Sequence, residues 1–238
     1  MAEAQLQYSA MVLGATGNVG QCIVQLLIKS PLCKKVVMVT RLKSGAFDPK
    51  VSEVVVNLDR LEEEVAPHVQ GVDVALAAFG VGKGSAKMPE EEVRKIEIAY
   101  PLAFCRAAKA AGVRVCGVMT AAGADPKAGM KYARVIGEKQ RAIESVRFDF
   151  LGVYRPAVIL GNSNTPGVLG YAMPLLHWAL PSKYHSIHKN DLAHAMVAQS
   201  EQALLAIAQG SAPKAAIVKI LEYKEMEAFF VKGERGES

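Results

Sequence analysis

The chain of 238 residues has no long hydrophobic run, few aromatics and no clustered cysteines, and each absence narrows the classes of protein it can belong to. No apolar stretch reaches the roughly 18–20 residues a membrane span requires, so no membrane span is predicted. The opening "MAEAQLQYSA" has neither the basic nor the apolar region of a secretory leader, and none is expected. Cys22, Cys33, Cys105 and Cys116 are scattered, with no C-x-x-C and no histidine at ligand spacing. That pattern predicts reduced, mostly buried thiols, no zinc site and a cytoplasmic location. Aromatics make up 6%, and the formal charge of +5 is not gathered into a basic block. A nucleic-acid partner is therefore not expected, and an anionic cofactor is the better match for the positive charge.

What the chain does have is apolar content, 51% of its residues, enough for one sizeable core. A single domain over 1–238 is predicted, with a C-terminal extension from about Gly210 that ends frayed. Apolar β-rich runs alternate with helical patterns: "YSAMVLG", "KKVVMVT", "VSEVVVNL", "VDVALAAFG", "VRVCGVMT" and "FDFLGVYRPAVIL" read as strands, the last as a strand and its continuation. Between them lie helical patterns, among them "NVGQCIVQLLIKS", a long one from about Pro89 to Ala111, and one from about Gly129 to Ser145. Strands that are apolar throughout suit a parallel sheet covered on both faces. The expected fold class is α/β, a doubly wound parallel sheet of the Rossmann type.

The strongest local signal is "MVLGATGNVG". Gly14, Gly17 and Gly20 follow the first strand directly and open the first helix. They allow a tight turn, close approach of backbone to a pyrophosphate, and close helix–strand packing. The exposed N–H groups and positive dipole at the helix start then suit phosphate. At the end of the second strand, where NAD sites carry a carboxylate for the ribose, this chain reads "VVMVTRLKSG". Thr40 takes that position, and Arg41 follows with Lys43 nearby. An arginine grips a phosphate through two nitrogens, so NADP(H) is the predicted cofactor.

"YARVIGEKQ" approaches the Tyr-x-x-x-Lys pair of short-chain reductases, in which a lysine one turn on lowers the tyrosine pKa. Tyr132 is present, but Ile136 stands where the lysine would be. The serine position after the fifth strand reads Ala121, with Thr120 before it. Tyr132 and Thr120 are the candidate catalytic residues, each with an alternative: Tyr132 as a packing residue, Thr120 as a side chain on the opposite strand face. Lys139 lies two turns, roughly 10 Å, beyond the tyrosine. Lys83, Lys87 and Lys139 are the cations that would have to replace the missing one. Asp191 reads as a helix cap or first-turn acid, and His185, His188 and His194 as structural.

The blocks "VLGATGNVG", "VVMVTRLK", "AAFGVGKG", "GVMTAAGAD", "YARVIGE" and "YRPAVILG" together resemble the Tat-interacting oxidoreductase-like proteins, atypical short-chain reductases that bind NADPH. The resemblance covers about residues 8–208. It implies cofactor contacts at Gly14, Thr16, Gly17, Asn18, Val19, Arg41 and Leu42. It implies further contacts at Asn57, Leu58, Phe79, Gly80, Val81, Tyr132, Pro156, Ala157, Val158 and Ile159. In that family the tyrosine block reads Tyr-x-x-x-Lys-Gly-Glu, so this chain keeps Tyr132, Gly137 and Glu138 and departs at Ile136. The implied function is an NADP(H)-dependent reductase of an unidentified small carbonyl compound, with weakened catalytic residues. The alternative is a non-catalytic NADPH-binding protein that presents a surface to a protein partner.

Overall fold

The computed structural model describes residues 6–45, 48–82, 85, 87–162, 178–210 and 215–230. Its centre is a seven-stranded sheet in the order β3-β2-β1-β4-β5-β6-β9, with every neighbouring pair parallel. The strands are β1 (Tyr8–Leu13), β2 (Cys33–Thr40), β3 (Val51–Val55), β4 (Val74–Ala77), β5 (Val115–Met119), β6 (Phe150–Tyr154) and β9 (Ile217–Leu221). A separate parallel pair joins β7 (Ile159–Leu160) to β8 (Ile187–His188). The "YRPAVIL" segment therefore does not extend β6; it leaves the sheet after Tyr154.

Side chains of β1 alternate between two cores. Tyr8, Ala10 and Val12 face a layer built with α1 (Asn18–Lys29) and α6 (Lys189–Ala208). Met11 and Leu13 face the opposite layer, built with α2 (Leu61–Val65), α4 (Tyr100–Ala110) and α5 (Lys131–Glu144). Both faces of the strand are covered, which is why its sequence shows no polar alternation. The strand order reverses between β1 and β4, and in such sheets ligands bind in the crevice at the carboxyl ends of those strands.

Two elements depart from the sequence pattern. The long helix predicted from Pro89 to Ala111 is interrupted: α3 (Glu90–Arg94) passes through a π-helical turn, Lys95–Ala99, before α4. The extension from Gly210 supplies β9, which pairs with β6 from Phe150↔Ile217 to Tyr154↔Leu221. Ile217, Val218 and Ile220 stay about two-fifths exposed, as befits an edge strand, and this blurs the buried-strand pattern. A short helix, α7 (Tyr223–Glu227), follows; residues 231–238 lie outside the described residues. The cap of α6 is His188, whose ring accepts from the Asn190 N–H, and Asp191 is its first-turn acid. No helix among the described residues is long and apolar enough to cross a membrane.

Candidate functional site

The turn after β1 is built for close approach. Gly14 has φ +81°, and a Cβ there would lie 2.5 Å from the Ala78 carbonyl oxygen. Gly17 N–H donates to Gly14 O at 2.9 Å, closing the turn. Gly17 then caps α1 with no side-chain hydrogen bond, and no acid stands in the first turn of that helix. The first turn of α1 thus brings no carboxylate of its own to the helix's positive end, which suits a phosphate.

A cleft of about 160 Å³ opens at this point, lined by Leu13, Gly14, Thr16, Gly17, Val39, Thr40, Arg41, Leu58, Ala78, Phe79 and Gly80. It lies at the carboxyl ends of β1, β2 and β4. Seven residues expected at a cofactor meet here: Gly14, Thr16, Gly17, Arg41, Leu58, Phe79 and Gly80. Val19 is buried, so it offers this end of α1 only its backbone. Asn18, its neighbour, is the first residue of the helix. Leu42 is 80% exposed and does not line the cleft. Asn57 is turned elsewhere: its side chain accepts from the Asp59 N–H, and its own N–H donates to Glu64. Pro156, Ala157, Val158 and Ile159 sit beyond β6. There Pro156 O accepts from the Ala122 N–H and Val158 O from the Ile187 N–H.

The electrostatics of the β2 end come from the Glu53 carboxylate, its two donors and Arg41. Thr40 donates its hydroxyl to Glu53 at 3.1 Å, and the Ser44 N–H donates to the same carboxylate at 2.7 Å. Glu53 is thereby tied to the loop wall. Arg41 lines the cleft and makes no ion pair among the described residues.

The predicted catalytic pair is arranged differently from the reductase pattern. The Thr120 hydroxyl is buried and donates to Tyr154 O at 3.1 Å, so its proton is committed to β6. Ala121, at the serine position, offers only a methyl group. Ile136 is 1% exposed, covered by the protein itself. Lys131 donates to Met88 O at 3.0 Å, and Arg134 pairs with Glu90 at 3.2 Å. Lys83 lies outside the described residues.

Lys139 is 1% exposed and forms an ion pair of 3.0 Å with Glu97, itself 2% exposed. Glu97 in turn faces Tyr132. Burial first, and then the charge of and hydrogen bonding to Glu97, push the Tyr132 phenol well above its ordinary value. A reductase tyrosine has its pKa lowered by a cation; this one is raised, by burial first and by the Glu97 carboxylate second. At neutral pH it stays a neutral phenol, a poor base and a weak acid.

Glu97 was not among the residues singled out from the sequence. "EEEVRKIEIAY" looks like a solvated acidic helix, yet Glu97 falls four residues after Val93, four before Pro101 and seven before Phe104. All three of those residues are buried. A lone charge inside such an apolar stripe is the readable sign of a buried ion. Spacing along α5 separates Lys139 from Tyr132 by two turns. The structure closes that gap through Glu97, on another helix.

Residues 14–203 match the family model described as NAD(P)H-binding. The chain belongs to this family. Among curated relatives, HTATIP2 of Rattus norvegicus is 30% identical over 156 residues, spanning 64% of this chain and 63% of that protein. FMP52 of Candida albicans, named mitochondrial, is 30% identical over 170 residues, spanning 68% of this chain and 72% of its own length. Of solved structures, the Bordetella bronchiseptica enzyme WbmH in complex with NAD+ superposes with a TM-score of 0.62 at 16% identity, covering 90% of this chain and 86% of that one. At that identity the superposition shows the fold alone. The family match and the relatives uphold the resemblance and the nucleotide-binding fold.

They overturn the cytoplasmic expectation, since several fungal relatives are named mitochondrial. Reduced thiols report reducing surroundings, which more than one compartment provides, and so they could not fix an address.

Proposed function

We propose that the protein binds NADPH in preference to NADH. On this reading the cofactor site is its principal functional element, and any reduction of a small carbonyl compound is weak. The observation that carries the reading is Arg41, lining the phosphate cleft beside the end of β2 with no ion pair among the described residues. The Gly14–Gly20 turn and the start of α1 would hold the pyrophosphate, and Arg41 the 2′-phosphate. Bound NADPH supplies a hydride. The chain's own residues hold the nucleotide, and Tyr132 is held as a neutral phenol beside Glu97. A mitochondrial location belongs to the same reading, supported by the names of the fungal relatives.

Titration of the wild type and of Arg41→Ala with NADPH and NADH tests it. The wild type is expected to prefer NADPH. Arg41→Ala is expected to lose about 10–100-fold in NADPH affinity, the worth of a hydrogen bond to a charged group, with NADH little changed. Equal or tighter NADH binding by the wild type would remove Arg41 from its assigned role.

The second reading is a non-catalytic protein in which NADPH orders a surface for a protein partner. Its support is the covered Ile136 together with the committed hydroxyl of Thr120.

A further inference from the structure

The Phe79–Val81 segment that walls the cleft is held from behind by two buried charges. Lys139 Nζ donates to Phe79 O at 3.1 Å, and the Val81 N–H donates to Glu97 Oε1 at 2.8 Å. The two charges bond each other at 3.0 Å. A Cβ on Gly80 would lie 2.7 Å from Glu97 Oε1 and 3.0 Å from Oε2, so the carboxylate packs directly beneath Gly80.

This fixes more than the position of the wall. The described peptide bonds are trans, and in a trans peptide the C=O and N–H point in opposite directions. The Phe79 carbonyl points at Lys139, so the Gly80 N–H of the same peptide points away from the pair. The Val81 N–H points at Glu97, so the Gly80 carbonyl also points away. Both peptide groups flanking Gly80 are locked, and its remaining donor and acceptor are turned outward where Gly80 is exposed and lines the cleft. Among the described residues neither atom has a partner.

The π-helical turn explains how Glu97 reaches this point. Lys95–Ala99 carries Glu97 at its middle, and such wide turns shift side chains off the ordinary helical face and recur at functional sites. The adjoining side of α5 is anchored as well: Glu138 takes both terminal nitrogens of Arg94 from α3.

We propose that Glu97 and Lys139 are positioning residues of the cofactor site: their ion pair locks the peptide groups on either side of Gly80, so that the Gly80 N–H and C=O are presented to the hydroxyls of a nucleotide ribose. The proposal rests on the reading of the cleft as an NADPH site. Neither side chain touches the cofactor; both act through the Gly80 backbone.

The test compares two charge-neutral double variants with the wild type, by NADPH titration and thermal melting. Replacing a buried ion pair with apolar groups of similar volume is commonly neutral, but here it also strips the Phe79 carbonyl and the Val81 N–H of their partners, so Glu97→Leu/Lys139→Met is expected to melt somewhat lower than wild type while still folding. Its NADPH affinity is expected to fall about tenfold or more, through loss of the ordered hydrogen-bonding pair. Glu97→Gln/Lys139→Met keeps an acceptor for the Val81 N–H, and its loss is expected to be smaller, about threefold, a partial rescue. With titrations run well below the melting temperature, a merely structural role leaves the affinity of the folded variants at the wild-type value; a positioning role lowers it in the folded protein. Wild-type affinity in a folded Glu97→Leu/Lys139→Met protein would overturn the proposal. If that variant does not fold, wild-type affinity in Glu97→Gln/Lys139→Met does the same. Failure of the wild type to bind NADPH at all would overturn the cofactor reading and the proposal together, and so is distinguishable from either result.

Discussion

Alanine at position 20 is expected to abolish NADPH binding and to destabilise the fold by about 1–3 kcal/mol or more. A Cβ on Gly20 would lie 2.0 Å from Gly14 O, 2.7 Å from Gly14 C and 3.0 Å from Ala15 Cα. All three are backbone atoms, so no side chain can rotate aside. The strain has to be relieved by moving either the phosphate turn or the start of α1. Moving the turn disturbs Gly14, itself wedged against the Ala78 carbonyl. Moving the helix unpacks Val19, Ile23 and Val24 from the core. For a domain of this size the melting temperature should fall by roughly 3–10 °C. Gly129→Ala is the control, since a Cβ there meets nothing within 4 Å, and it should leave both melting and titration unchanged. Equal behaviour of the two variants would show that the turn is not sterically constrained at Gly20.

A second large effect is expected at alkaline pH. Tyr8 and Tyr154 are buried. Burial foremost raises both phenols far above their ordinary value; for Tyr8 the adjacent Glu201 adds to it, accepting the hydroxyl at 2.8 Å. Unfolded, each releases its proton near pH 10; folded, each retains it. Above pH 10 the unfolded chain thus binds fewer protons than the folded one, and stability falls as pH rises. Their contribution is fully present below about pH 10 and declines by about 1.4 kcal/mol per pH unit for each phenol above it. Cys33 and Cys116, whose thiols are likewise pushed up chiefly by burial, act with the same sign from about pH 9. Denaturant midpoints measured from pH 9 to 11 should fall steeply, and Tyr8→Phe should make the fall shallower. A flat profile over that range would contradict the burial of these groups.

The parallel sheet and the phosphate turn were legible because their causes are local. Each strand carries its own apolar run, and Gly14, Gly17 and Gly20 are needed within a single strand–turn–helix unit. The place of Arg41 at the cleft is local too, as it is the residue after Thr40 at the end of one strand. β9 was not, because an edge strand buries only part of itself, and its Ile217–Leu221 pattern mixes lysine with exposed apolar groups. The state of Tyr132 was only half legible. Ile136 announced a missing cation, but the Glu97–Lys139 pair is assembled from two helices 42 residues apart in sequence, and spacing along α5 alone pointed away from it. The π-helical turn that brings Glu97 inward has no marker in local composition.

Tyr132 is buried beside the Glu97 carboxylate, and both push its phenol up, burial foremost. The most direct measurement is turnover of small carbonyl compounds at saturating NADPH by the wild type and by Tyr132→Phe. Slow turnover is expected in both, equal within about twofold, with NADPH bound by each. A general acid contributes about 10²–10⁴-fold, so robust wild-type turnover that falls a hundredfold in Tyr132→Phe would contradict that expectation.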